Sequence, residues 1–67
     1  MLREDSPDPR ADAEIHRAIR RNPGCTVVFL ETATGYTETY VRRALKRIAG
    51  SLTVRRDGRI NRYEANR

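Results

Sequence analysis

Thr26-Val27-Val28-Phe29-Leu30-Glu31-Thr32-Ala33-Thr34-Gly35-Tyr36-Thr37-Glu38-Thr39-Tyr40-Val41-Arg42-Arg43-Ala44-Leu45-Lys46-Arg47-Ile48 holds two helix starts and a helix stop in close succession. Thr26 and Thr37 stand where a side-chain oxygen can accept from an orphan amide of a first helical turn. Gly35, between them, offers the left-handed residue that closes a helix. Val27 to Phe29 alone would suit a strand, with two β-branched residues and an aromatic ring. The ending Leu30 to Gly35 is that of a helix, and Val27–Thr34 is read as one. After Tyr36, Thr37 caps the next helix, with Glu38 in its first turn facing the positive end of the dipole. Val41, Ala44, Leu45 and Ile48 then recur as an apolar stripe at helical spacing, ended by Gly50-Ser51.

Upstream, Ala11, Ile15, Ala18 and Ile19 give a further helical stripe, with Asp12, Arg17, Arg20 and Arg21 on the other faces. Asp8-Pro9 reads as its cap and first-turn pair, Asp12 and Glu14 suit its N-terminal end, and Asn22-Pro23-Gly24 stops it. Residues 1–10 lack apolar periodicity and read as a flexible N-terminal tail, residues 11–64 as the folded domain and residues 65–67 as a C-terminal tail. Downstream, Leu52 to Tyr63 reads as a hairpin around Asp57-Gly58. A three-residue loop, Arg56-Asp57-Gly58, pairs Val54 with Ile60 on one face, which buries more and is preferred. A two-residue loop pairs Val54 with Asn61 and alone puts Leu52 beside Tyr63.

Sixty-seven residues make one small domain, which buries only about 60% of the surface its unfolded chain exposes. The longest uninterrupted apolar run, Val27 to Leu30, is far short of the ~18 residues of a membrane span. Met1 to Pro7 lacks the apolar core of a signal peptide, so a cytoplasmic, nucleoid-associated location is expected. One Cys (Cys25) and one His (His16) exclude an internal disulfide and a structural zinc site, and no cofactor is implied. Neither a nucleophile–base pair nor a phosphate-cradling glycine loop is present, so no enzyme is expected. The net charge of +5 is localised: residues 1–25 hold five Arg and five acids, whereas residues 42–62 hold eight bases against Asp57, or 8 − 1 = +7. A cluster of that density points to a polyanion.

The order helix, helix, short turn, basic helix and basic hairpin, with Leu30-Glu31-Thr32-Ala33-Thr34-Gly35 and Val41-Arg42-Arg43-Ala44-Leu45-Lys46-Arg47-Ile48, resembles the winged helix-turn-helix domains of bacterial and archaeal transcriptional regulators. The resemblance covers about residues 11–64. It implies a mainly α fold of three helices with a small β-hairpin, and sequence-specific binding of double-stranded DNA in transcriptional control. The third helix would enter the major groove through Thr37, Glu38, Thr39, Arg42, Arg43 and Lys46, and Arg55, Arg56, Arg59 and Arg62 would act from the wing. Arg42 or Arg43 could read a guanine; Glu38 could accept from cytosine or simply support the helix.

The chain departs from the family at Glu31, where a small residue usually packs and a carboxylate must reach solvent or an Arg. Val28 and Phe29 occupy positions that are usually charged. Either the core rearranges to bury Phe29, or the second helix exposes an apolar patch for another chain, in a homodimer or with a partner protein. His16 reads as a helix-surface residue, Cys25 as a small packed residue rather than a redox sensor, and Tyr36 and Tyr40 as packing around the turn. The alternative function is a winged helix protein–protein module whose basic face binds an acidic partner. Structured RNA is a weaker fit, because Tyr63 is the wing's one aromatic ring.

Overall fold

The computed structural model describes residues 8–66, so the expectation for residues 1–7 of the tail lies outside the described residues. The chain runs α1 (Pro9–Arg21), α2 (Val27–Thr34), α3 (Glu38–Arg47), a 3-10 turn (Ala49–Ser51), β1 (Leu52–Asp57) and β2 (Ile60–Ala65). The helix starts are those the capping residues specify. Asp8 accepts from the Arg10 amide at 2.9 Å, Thr26 from Phe29 at 3.2 Å and Thr37 from Tyr40 at 3.2 Å. Gly35 closes α2 at φ +82°, its amide donating to the Glu31 carbonyl at 2.8 Å. A Cβ there would meet nothing within 4 Å, so the left-handed backbone, and not packing, selects glycine.

The apolar stripes converge on one core. α1 contributes Ala11, Ile15 and Ile19; α2 contributes Val27 and Leu30; α3 contributes Tyr40, Val41, Ala44 and Leu45. Leu52 and Tyr63 close it from the hairpin, with Cys25 from the loop before α2. Ile15, Ile19, Leu30 and Val41 are its largest fully buried side chains. Ile48 caps α3 from a half-buried position before the 3-10 turn reaches Gly50 and Ser51.

The hairpin corrects both expected registers. Val54 pairs with Tyr63, Leu52 with Ala65 and Asp57 with Ile60, leaving Gly58-Arg59 as the two-residue loop. Neither Val54–Ile60 nor Val54–Asn61 forms. Gly58, at φ +63°, takes the first central position, the place that a type II′ turn reserves for glycine. The expected loops put Gly58 at the end of the turn. The observed register sets Leu52, Tyr63 and Ala65 on one face toward the core, which the three-residue loop would not, and places Ala65 rather than Tyr63 beside Leu52, unlike the two-residue loop. It is locked from outside the hairpin: Gly24 donates to the Tyr63 carbonyl at 2.9 Å, and Tyr63 donates to the Cys25 carbonyl at 2.8 Å. The loop before α2 thus adds a one-residue bridge to β2. Among the described residues, no helix is long and apolar enough to cross a membrane.

Candidate nucleic-acid interface

α3 turns Val41, Ala44 and Leu45 inward, which leaves Thr39, Arg42, Arg43 and Lys46 on the outside. A shallow groove of about 490 Å³ runs between that side of α3 and β2, lined by Thr39, Arg42, Arg43, Leu45, Lys46, Ala49 and Tyr63. Among the described residues, three cations and no acid line it. Thr37 and Glu38, also expected at the site, stand at the N-terminal end of α3 outside this groove. Thr37 is the helix cap, its hydroxyl oxygen accepting from Tyr40. Glu38 accepts from both Nε and Nη2 of Arg42 at 3.2 Å, an exposed i,i+4 pair of the kind that supports helices weakly.

The hairpin divides its arginines between two faces. Arg55 and Arg62 stand directly opposite each other in the register, a like-charge pair that costs stability. Arg62 offsets that cost by donating to Asp57 Oδ2 at 3.2 Å and to the Gly24 carbonyl at 3.0 Å. Arg56 lies on the other face, with Tyr63, and donates to the Gly58 carbonyl at 3.2 Å. Arg59 occupies the turn itself.

Sequence reasoning missed the role of Arg47. Its guanidinium grips Asp12 of α1 with two bonds, Nε to Oδ2 at 3.0 Å and Nη2 to Oδ1 at 2.8 Å. Bidentate geometry and partial burial make this the best-formed ion pair among the described residues. One of the eight bases in residues 42–62 is therefore neutralised, and it fixes the C-terminal end of α3 against α1. No local spacing reveals such a pair, because its members lie 35 residues apart. A double-mutant cycle of Asp12→Ala and Arg47→Ala, read by urea unfolding, should return a coupling of about 1 kcal/mol. A coupling near zero would show that the grip is not maintained in solution.

The aromatic and sulfur expectations hold. Tyr36 stacks on Tyr40 with centroids 4.8 Å apart, packing the turn between α2 and α3. Burial, and then the Glu14 charge, push the Tyr36 phenol above its ordinary value. Cys25 is buried, and that burial raises its thiol above the usual range, the opposite of what a redox sensor needs. Glu31 is half-buried and makes no ion pair among the described residues. His16 differs from expectation: it is half-buried, and its Nε2 is enclosed without a hydrogen-bond partner. Val28 and Phe29 resolve in favour of exposure, at 71% and 39%, so the core has not rearranged to bury Phe29.

Two short antiparallel strands after three helices, with the second and third helices joined by Gly35-Tyr36-Thr37, define the arrangement. Among solved structures, the crystal structure of the transcriptional regulator SlyA matches it with a TM-score of 0.74 at 22% identity. The match covers 87% of this chain and 44% of that one, so the chain spans less than half of that regulator's length. The fold is a winged helix-turn-helix. No family model matches the sequence, and no curated protein does either. Within the winged helix frame, α2 and α3 form the helix-turn-helix, and the basic groove lies between α3 and the β1–β2 hairpin.

Proposed function

We infer that this winged helix binds double-stranded DNA and serves transcriptional control, with α3 in the major groove and the hairpin against the flanking backbone. The observation that carries the reading is the groove between α3 and β2, where Arg42, Arg43 and Lys46 meet with no acid among them. A helix fits the major groove, and α3, at about 15 Å long, presents two turns of donors to it. Arg43 and Lys46 have no acidic partner among the described residues and are free for phosphates or base edges. Arg42, steadied by Glu38, keeps its Nη1 edge available for a guanine. Arg55, Arg56 and Arg59 extend the positive surface along the wing, where phosphate contacts fix orientation without reading sequence. The likeness to a transcriptional regulator supports the same reading, and work in the cytoplasm on the nucleoid is part of what we propose.

The test is fluorescence anisotropy of a labelled random-sequence duplex at about 50 and 200 mM salt. Contact with about five phosphates gives a slope of log K against log salt near −4.5. Micromolar binding with that slope is the expected result. Absence of binding at the lower salt would overturn the reading and direct attention to an acidic protein partner for the same face.

A further inference from the structure

The hairpin is locked at its root by Tyr63, but beyond that point little holds it to the rest of the molecule. Residues 53–62 are all exposed, and a two-stranded hairpin is marginal by itself in water. Arg55 faces Arg62 across the strands, which weakens the pairing further. Among the described residues, one hydrogen bond joins this stretch to the helices or the loops between them: Arg62 Nη1 donates to the Gly24 carbonyl at 3.0 Å. From the same guanidinium, Nε donates to Asp57 Oδ2 at 3.2 Å, beside the turn. Arg62 thus ties the far end of β1 to the loop before α2. Gly24 is a firm anchor. It sits at φ +83° and its amide donates to the Tyr63 carbonyl at 2.9 Å, so both of its backbone polar groups serve β2. The other hairpin cations make no such link. Arg56 reaches only Gly58 of its own hairpin, and Arg55 and Arg59 make no side-chain hydrogen bond among the described residues.

We infer that Arg62 is a positioning residue: it struts the hairpin against the loop before α2 and so fixes where Arg55, Arg56 and Arg59 stand relative to α3. The inference rests on the DNA-binding reading and gives Arg62 a part in it other than contact with DNA. Asp57, the one acid in residues 42–62, opposes a polyanion, and its partner is Arg62. The strut thus accounts for a carboxylate in an otherwise cationic stretch. A planar guanidinium can meet two acceptors at once, which a point charge does less well. The anchoring loop leads directly into α2, where Thr26 caps the first turn, and α2 packs against α3. A hairpin held at Gly24 is therefore held to the helix-turn-helix itself. A duplex that meets α3 then finds the hairpin cations already in place, without the ordering cost of a swinging arm.

Amide hydrogen exchange of the full chain without DNA reads the strut directly. In Arg62→Ala the Gly24 and Tyr63 amides should exchange about tenfold faster, while those of Val41 and Leu45 in α3 change by less than about twofold. Equal acceleration at all four would mark a loss of global stability, and no acceleration would show that Arg62 holds nothing; either result overturns the proposal. Affinity for a labelled duplex at about 50 mM salt reads the consequence. Arg62→Ala should weaken binding about three- to tenfold in the parent chain, but less than about twofold in a chain already carrying Arg55→Ala, Arg56→Ala and Arg59→Ala. An equal loss in both backgrounds would make Arg62 a DNA contact in its own right and overturn its positioning role. A parent that binds no duplex would overturn the DNA-binding reading and with it any part for Arg62 in recognition, whereas the exchange rates decide by themselves whether the strut exists.

Discussion

Leu30→Ala is expected to leave little folded protein at 37 °C. Leu30 is fully buried in the core beside Ile15, Ile19 and Val41, on the helix that packs against both α1 and α3. Truncation of such a leucine costs about 2–5 kcal/mol, the sum of lost transfer free energy and the cavity that remains. Among the described residues the core holds just four large, fully enclosed side chains, so little surrounding material can collapse into the space. A domain of this size owns only about 3–5 kcal/mol in total. Val28, two residues away on the same helix, supplies the control: it is 71% exposed, and Val28→Ala should shift stability by less than about 0.5 kcal/mol. Urea unfolding followed at 222 nm measures both. A Leu30→Ala protein within 1 kcal/mol of its parent would contradict the core described above.

That contrast within one helix also shows what the sequence discloses. The caps at Asp8, Thr26 and Thr37 and the stop at Gly35 are readable because each acts on its own turn of helix, over two to four residues. The stripes of α1 and α3 are readable because one side of each is buried. α2 lacks a polar side, so periodicity could not say whether Phe29 faces in or out. The hairpin register was hidden for a different reason. Sliding the strands by two or three residues keeps some alternation intact, and local chemistry permits Gly58 at either end of the turn. What decides is tertiary: bringing Leu52, Tyr63 and Ala65 to one face excludes the three-residue loop, and the bridge from Tyr63 to Cys25 holds β2 in the observed place. At the candidate site, the charge count located the basic surface but could not sort it. Arg43 and Arg47 look alike in sequence, yet Arg43 lines the groove and Arg47 is held by Asp12.

The sorting predicts how binding energy is distributed. Replacing Arg42, Arg43 and Lys46 together by alanine should reduce affinity for duplex DNA by about 10²–10³-fold near physiological salt, if each cation contributes about 1–1.5 kcal/mol. The salt slope should fall in magnitude by about 0.9 for each of these cations that neutralises a phosphate, or nearly 3 if all do. Fold stability should move little, because all three side chains are exposed. The variant also leaves Glu38 without Arg42, so a bare carboxylate would then face the phosphates. Adding Glu38→Gln should recover part of the loss, and recovery would identify repulsion as a component. Arg47→Ala should behave in the opposite way, lowering stability while leaving the slope nearly unchanged, since Asp12 already neutralises its charge. Among the single variants, Arg43→Ala separates two roles. An equal loss on every sequence marks a phosphate contact, whereas a loss confined to one base position marks a guanine reader. If the triple variant bound DNA with the affinity and slope of the parent, α3 would not be the binding helix, and the remaining cations of the wing would have to carry the interaction.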